Sequence, residues 1–149
     1  MAEEEEGVGA CPLYDFEGAS EDEALAVIDA AELTRLCYAG GGRWVVVHSE
    51  DVERVWHGPS PERALLAYLG ERLKEIGEAD EGACEDYLRL AREARDRGDL
   101  WDAGRFERGY RECLEWVESH RRWVQLLRSA VEGLRTGRIK LKLKRMSEP

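Results

Sequence analysis

The residues best able to do chemistry in this 149-residue chain are three histidines, His48, His57 and His120, and four cysteines, Cys11, Cys37, Cys84 and Cys113. His48 and His57 bracket a short segment that also holds Glu50 and Asp51. If the flanking runs form a hairpin, the two rings could face each other as half a metal site or an acid/base pair. A metal centre needs a third fixed ligand, which the neighbourhood lacks, so no metal is expected. Cys113 and His120 fall seven residues apart on what reads as one helix. That spacing is about 10 Å along the axis, too far for a thiol to pass its proton to an imidazole. The cysteines form no CxxC pair and no short Cys/His spacing, and they read as buried reduced thiols. Gly40, Gly41 and Gly42 suggest a phosphate loop, but such a loop follows a strand and opens a helix. Here the glycines close a helical pattern and lead into a β-branched run, so they read as a helix cap and a turn. No catalytic residue and no cofactor is expected.

These groups must be positioned by a chain of modest size. With 43% hydrophobic residues, 149 residues can bury a real core as one domain. Charged residues make up 36%, and the formal net charge of −10 repels nucleic acid and anionic membrane at long range. The acidic amino terminus, residues 1–9, contains Glu3 to Glu6 and is expected to be flexible. It lacks the basic and apolar regions of a signal peptide, and no apolar run is long enough to span a membrane. A cytoplasmic location is the expectation.

The remaining residues, 10–149, read as a single α+β domain, predominantly helical, with about four helices and a small antiparallel or mixed sheet. Ser20 with Glu23 forms a capping box that starts helix one, whose apolar positions continue through Leu33 and Leu36 to Gly40. Trp44–Val47 and Val52–Trp56 predict a β-hairpin. Ser60 and Pro61 cap and open helix two, from Ala64 to Ile76. A long helical hairpin follows over 83–137, its third helix stopping near Gly98 and its fourth capped by Asp99. The segment 138–146 alternates Ile139, Leu141 and Leu143 with Lys140, Lys142 and Lys144, the period of a strand with one basic face. It is expected to join the hairpin.

The fourth helix carries the strongest pattern. Ala103, Phe106, Tyr110, Cys113, Val117, His120, Val124, Leu127, Val131 and Leu134 alternate spacings of three and four, a heptad stripe. Unbroken, this helix is roughly 55 Å long, so it either breaks or finds a partner. Trp116 and Trp123 flank the stripe, and with Tyr110 and Trp101 they are candidate anchors for a partner, since Trp and Tyr dominate interface energetics.

Tyr87 to Leu114, with Ala91, Gly98, Ala103 and Tyr110 at its contact points, resembles a single tetratricopeptide-type hairpin and is similar to the helical hairpins of HEPN domains. A solenoid needs further copies, and none occurs. Arg111 and His120 lie nine apart, off the close Arg/His spacing of the HEPN ribonuclease signature, so neither family is assigned. The expected function is a non-enzymatic protein-interaction or assembly module, its partner a second copy in a dimer or another protein, with no membrane involved. The alternative is a nucleic-acid-binding regulator acting through Arg138, Lys140, Lys142, Lys144 and Arg145, whose positive charges are gathered on one strand.

Overall fold

The computed structural model describes residues 11–51, 53–76 and 81–144. The acidic residues 1–9 and the candidate Arg145 lie outside the described residues. Among the described residues the order is β1 (Tyr14–Glu17), α1 (Glu21–Ala30), β2 (Thr34–Gly40), β3 (Arg43–His48), β4 (Val55–Gly58), α2 (Pro61–Glu75), α3 (Glu81–Asp96), α4 (Leu100–Thr136) and β5 (Lys140–Leu143). The fold is α+β and predominantly helical. The chain divides into two compact units, Met1–Ile76 with Gln125–Pro149, and Gly77–Val124. Helix α4 runs unbroken and contributes to both.

In the first unit, α1 begins as the sequence dictates. The Glu23 amide donates to Ser20 Oγ and the Ser20 amide donates to Glu23 Oε1, both at 3.0 Å. Such a cap contributes about 1 kcal/mol. The helix ends at Ala30, ten residues before the expected stop. Thr34–Gly40, read from its apolar spacing as the tail of helix one, is a strand. Its β-branched and aromatic residues favour extended backbone, and it finds a full antiparallel partner in β3. The three glycines therefore belong to a β-turn region, not a helix cap, and all three take positive φ, 86°, 61° and 76°.

Strand β4 pairs antiparallel with the other edge of β3, giving the sheet order β2-β3-β4. Ser60 Oγ accepts from the Arg63 amide at 3.1 Å and Pro61 opens α2, which lies against this sheet. Leu65, Leu69 and Val46 are fully buried there, and truncating a leucine so placed costs about 2–5 kcal/mol. The approach is closest at Gly58, where an added Cβ would stand 2.4 Å from the Ala64 nitrogen. Strand β5 does not join the hairpin as expected. It pairs antiparallel with β1 in a separate two-stranded sheet, Tyr14 opposite Leu143 and Phe16 opposite Leu141.

The second unit is a helical hairpin of α3 and the first part of α4. Asp99 caps α4, its carboxylate accepting from the Asp102 amide at 3.1 Å. The buried hydrophobic residues here are Cys84, Ala91, Ala94, Ala103 and Val117, four of them small, so the helices approach closely but bury little apolar volume.

The cysteines are not reduced thiols. Cys84 is joined to Cys113 within the second unit, and Cys11 to Cys37 within the first. The partners are 29 and 26 residues apart, Cys84 and Cys113 on different helices and Cys11 ahead of β1 with Cys37 in β2, so no local motif announces them.

Candidate functional site

Helix α4 turns its heptad stripe inward. Ala103, Val117, Leu127 and Leu134 are buried, and Phe106, Tyr110, Cys113, His120, Val124 and Val131 are half-buried. Within the second unit this stripe meets α3. The disulfide Cys84–Cys113 bridges the helices, and the Tyr87 ring lies where a Cβ on Gly109 would be, at 2.8 Å. Arg95 on α3 pairs with Glu107 on α4.

This phase decides which candidate anchors face outward. Tyr110 and Trp123 are half-buried, and the Trp123 indole nitrogen is enclosed without a hydrogen-bond partner among the described residues. Trp101 and Trp116 are 75% and 59% exposed, the most open aromatic side chains among the described residues. Trp116 stacks on the His120 imidazole with ring centroids 4.9 Å apart and planes 14° apart, and His120 in turn lies 5.9 Å from Trp123. Arg105 holds its guanidinium over both Trp101 and Phe106, at 5.4 and 5.1 Å. The two exposed indoles are thereby braced by a neighbour on their own helix, so binding would cost them little rotamer entropy.

The two hairpin histidines do not meet. His57 is opposite Val45, whereas His48 is opposite Thr34 three residues further along β3, and the two therefore point to opposite faces of the sheet. His48 instead borders a cavity of about 260 Å³ in the first unit, with Glu50, Arg54, Trp56, Tyr68 and Glu71. Its Nδ1 accepts from the Glu50 amide at 3.1 Å. The Trp56 indole N–H donates to Glu71, which also takes the Arg54 guanidinium. Those bonds, the indole's first, hold the Glu71 carboxyl below its ordinary range. Burial raises the Tyr68 phenol, whose hydroxyl donates to the Ala30 carbonyl at 3.0 Å. The polar groups of this cavity are mostly spent on one another. Among the described residues no group of three or more His, Cys, Asp or Glu is placed to hold a metal ion.

The basic strand is partly neutralised by its own sheet. The register sets Lys140 opposite Glu17 and Lys142 opposite Asp15, and Lys144 Nζ lies 3.3 Å from Asp15. Arg138 is engaged by Glu23 through both terminal nitrogens, at 3.1 and 2.7 Å. No helix among the described residues is long and apolar enough to cross a membrane. Comparison with protein-family models, curated proteins and solved structures finds no match.

Proposed function

We propose that this protein is a non-enzymatic interaction module that docks a second copy or another protein onto the outward face of α4 in the second unit. The observation that carries this reading is the exposure of Trp101 and Trp116 on a regular helix. Large aromatic side chains held open and braced in this way are the usual energetic anchors of protein interfaces. Their surroundings are charged on both signs, which suits a rim that excludes water and sets partner choice.

The test is a pair of substitutions, Trp101→Ala and Trp116→Ala, made in the full chain. Both sites are exposed, so the thermal unfolding and helical circular dichroism should change by no more than about 0.5 kcal/mol equivalent. Association, read as mass by light scattering and as capture of partner from the native cell, should weaken at least tenfold, the loss expected of an interface anchor. Unchanged association, or collapse of the fold, would remove the reading.

Nucleic-acid binding through β5 has less support. Of its proposed contacts, Arg138 already holds Glu23, and the lysines face the carboxylates of β1.

A further inference from the structure

The strands β2, β3 and β4 carry no acidic residue, in a chain that has 32. Their pairing sorts the side chains onto two faces. Leu36, Val46 and Trp56 stand opposite one another and are buried on the side of α2, where the Trp56 ring meets Tyr68 edge-on at 4.8 Å. The alternate residues therefore share the other face. One row sets Arg35 beside Val47 and Val55, and the next sets Cys37 beside Val45 and His57. Arg43, two residues before Val45, belongs to the same face. Val45 and Val47 are half-buried, Val55 is 39% exposed, and Arg35, Arg43 and His57 are exposed. Neither the Arg35 nor the Arg43 guanidinium has an ion-pair or hydrogen-bond partner among the described residues. A strip of valines thus lies beside unspent positive charge, a surface complementary to an acidic segment that also carries a small apolar residue.

The chain delivers such a segment to this face. Cys11 is bonded to Cys37, midway along the edge strand β2, with the two Cα atoms 4.0 Å apart. Residues 1–10 lie outside the described residues, and in their sequence Val8 and Glu3 to Glu6 come just ahead of the bridge. At up to about 3.3 Å per residue, Glu6 can stand as far as about 17 Å from Cys11. Two residues along a strand and one strand spacing put the Cα atoms of Arg35 and Arg43 within about 10 Å of Cys37, well inside that reach. We propose that the acidic amino-terminal segment is the occupant of this sheet face, tethered by Cys11–Cys37, with Glu3 to Glu6 meeting Arg35 and Arg43 and Val8 lying on the valine strip. Exposed ion pairs are each worth less than about 1 kcal/mol. The tether compensates, because it holds the carboxylates beside the arginines at an effective concentration in the millimolar range. While occupied, the face is closed to acidic segments of other proteins. This contact is separate from α4 and does not depend on the interaction-module reading.

The experiment is arginine labelling of the full chain by a dicarbonyl reagent, read residue by residue by mass spectrometry. Rates at Arg35 and Arg43 are compared between the wild type and the variant E3Q/E4Q/E5Q/E6Q. Arg92 and Arg108, exposed and without an ion-pair partner among the described residues, are the internal standards. At low salt, Arg35 and Arg43 should react at least about threefold faster in the variant, the change expected when a site occupied for most of the time is opened. Raising the salt from about 0.01 M to about 1 M, which shortens the screening length from about 30 Å to about 3 Å, should speed them in the wild type and leave the variant unaltered relative to the standards. The reciprocal variant R35Q/R43Q, changed only at exposed positions, should shift the amide resonances of Glu3 to Glu6 and keeps the test open should the first variant fold poorly. Equal labelling rates in wild type and variant, or resonances of Glu3 to Glu6 indifferent to R35Q/R43Q, would overturn the contact. So would an added polyglutamate peptide that protects Arg35 and Arg43 as well in the wild type as in E3Q/E4Q/E5Q/E6Q, since the face would then be open and its occupant another chain.

Discussion

Arg138 grips Glu23 in a two-pronged bond that joins the start of α1 to a residue two positions ahead of β5, 115 positions away in the chain. The same carboxylate accepts from the Ser129 hydroxyl at 2.6 Å and from the Ser20 amide, while Arg138 also reaches the carbonyls of Gly18 and Ser129. One ion pair thus ties three elements of the first unit together. Its carboxylate is buried, with 8% of the side chain exposed, and its guanidinium half-open.

This arrangement gives a pH dependence of definite sign. The Arg138 bonds, against an opposing desolvation, and then the bonds from Ser129 and Ser20 lower the Glu23 carboxyl from its ordinary 4.5 to about 2. The folded chain therefore binds fewer protons than the unfolded chain between those values. The stabilisation is complete above about pH 4.5 and is lost as pH falls toward 2. Glu23→Gln should cost about 1–3 kcal/mol at neutral pH. Denaturant titrations should show that the difference between variant and wild type shrinks across this acid window.

Reduction of Cys84–Cys113 should loosen the second unit more than an ordinary surface change would. Its core is small, and the bridge closes a 29-residue separation, for which chain entropy gives about 3–4 kcal/mol. A dithiol, or Cys84→Ser, should lower the cooperative unfolding temperature and speed amide hydrogen exchange across α3. Unchanged exchange there would place the hairpin's stability in its helix contacts instead.

Gly58→Ala should destabilise the first unit by about 1–3 kcal/mol, because the new methyl would meet the backbone of Ala64 and push α2 from the sheet. Gly70→Ala, with open space around it, is the control and should be neutral or slightly stabilising. Chemical unfolding of both variants makes the comparison.

Replacing Lys140, Lys142 and Lys144 together with glutamine should leave mass and folding nearly unchanged, because all three are exposed. Retention on an immobilised polyanion, measured against salt, decides the alternative function. On the present reading the wild type is retained weakly, and steep salt-dependent binding abolished by the triple variant would instead favour nucleic acid.

Local signals were legible in the residues and distant pairings were not. Ser20 with Glu23, Ser60 with Pro61, and the alternation of Lys140–Leu143 each act within a few positions, and the elements they announce are present. Thr34–Gly40 carries apolar residues that fit a helix as readily as a strand, and only its pairing with β3 decides between them. Tyr14–Glu17 is a strand because β5 comes to it from the far end of the chain. The disulfides belong to the same class of event. At the candidate site, the heptad identified α4 and its aromatic residues, but which tryptophans face outward depends on how α3 sits against the stripe. That phase sets Trp101 and Trp116 outward and draws Tyr110 and Trp123 in.

The pairing of β1 with β5 has a bearing on synthesis. Their first residues stand 126 positions apart, so on a ribosome adding about 5–20 residues per second β1 waits on the order of ten seconds for its neighbour. For that interval the nascent strand offers an open edge to any other chain. Asp15 and Glu17, alternating with Tyr14 and Phe16, give that edge a charge that discourages premature pairing until the lysines of β5 arrive to meet them.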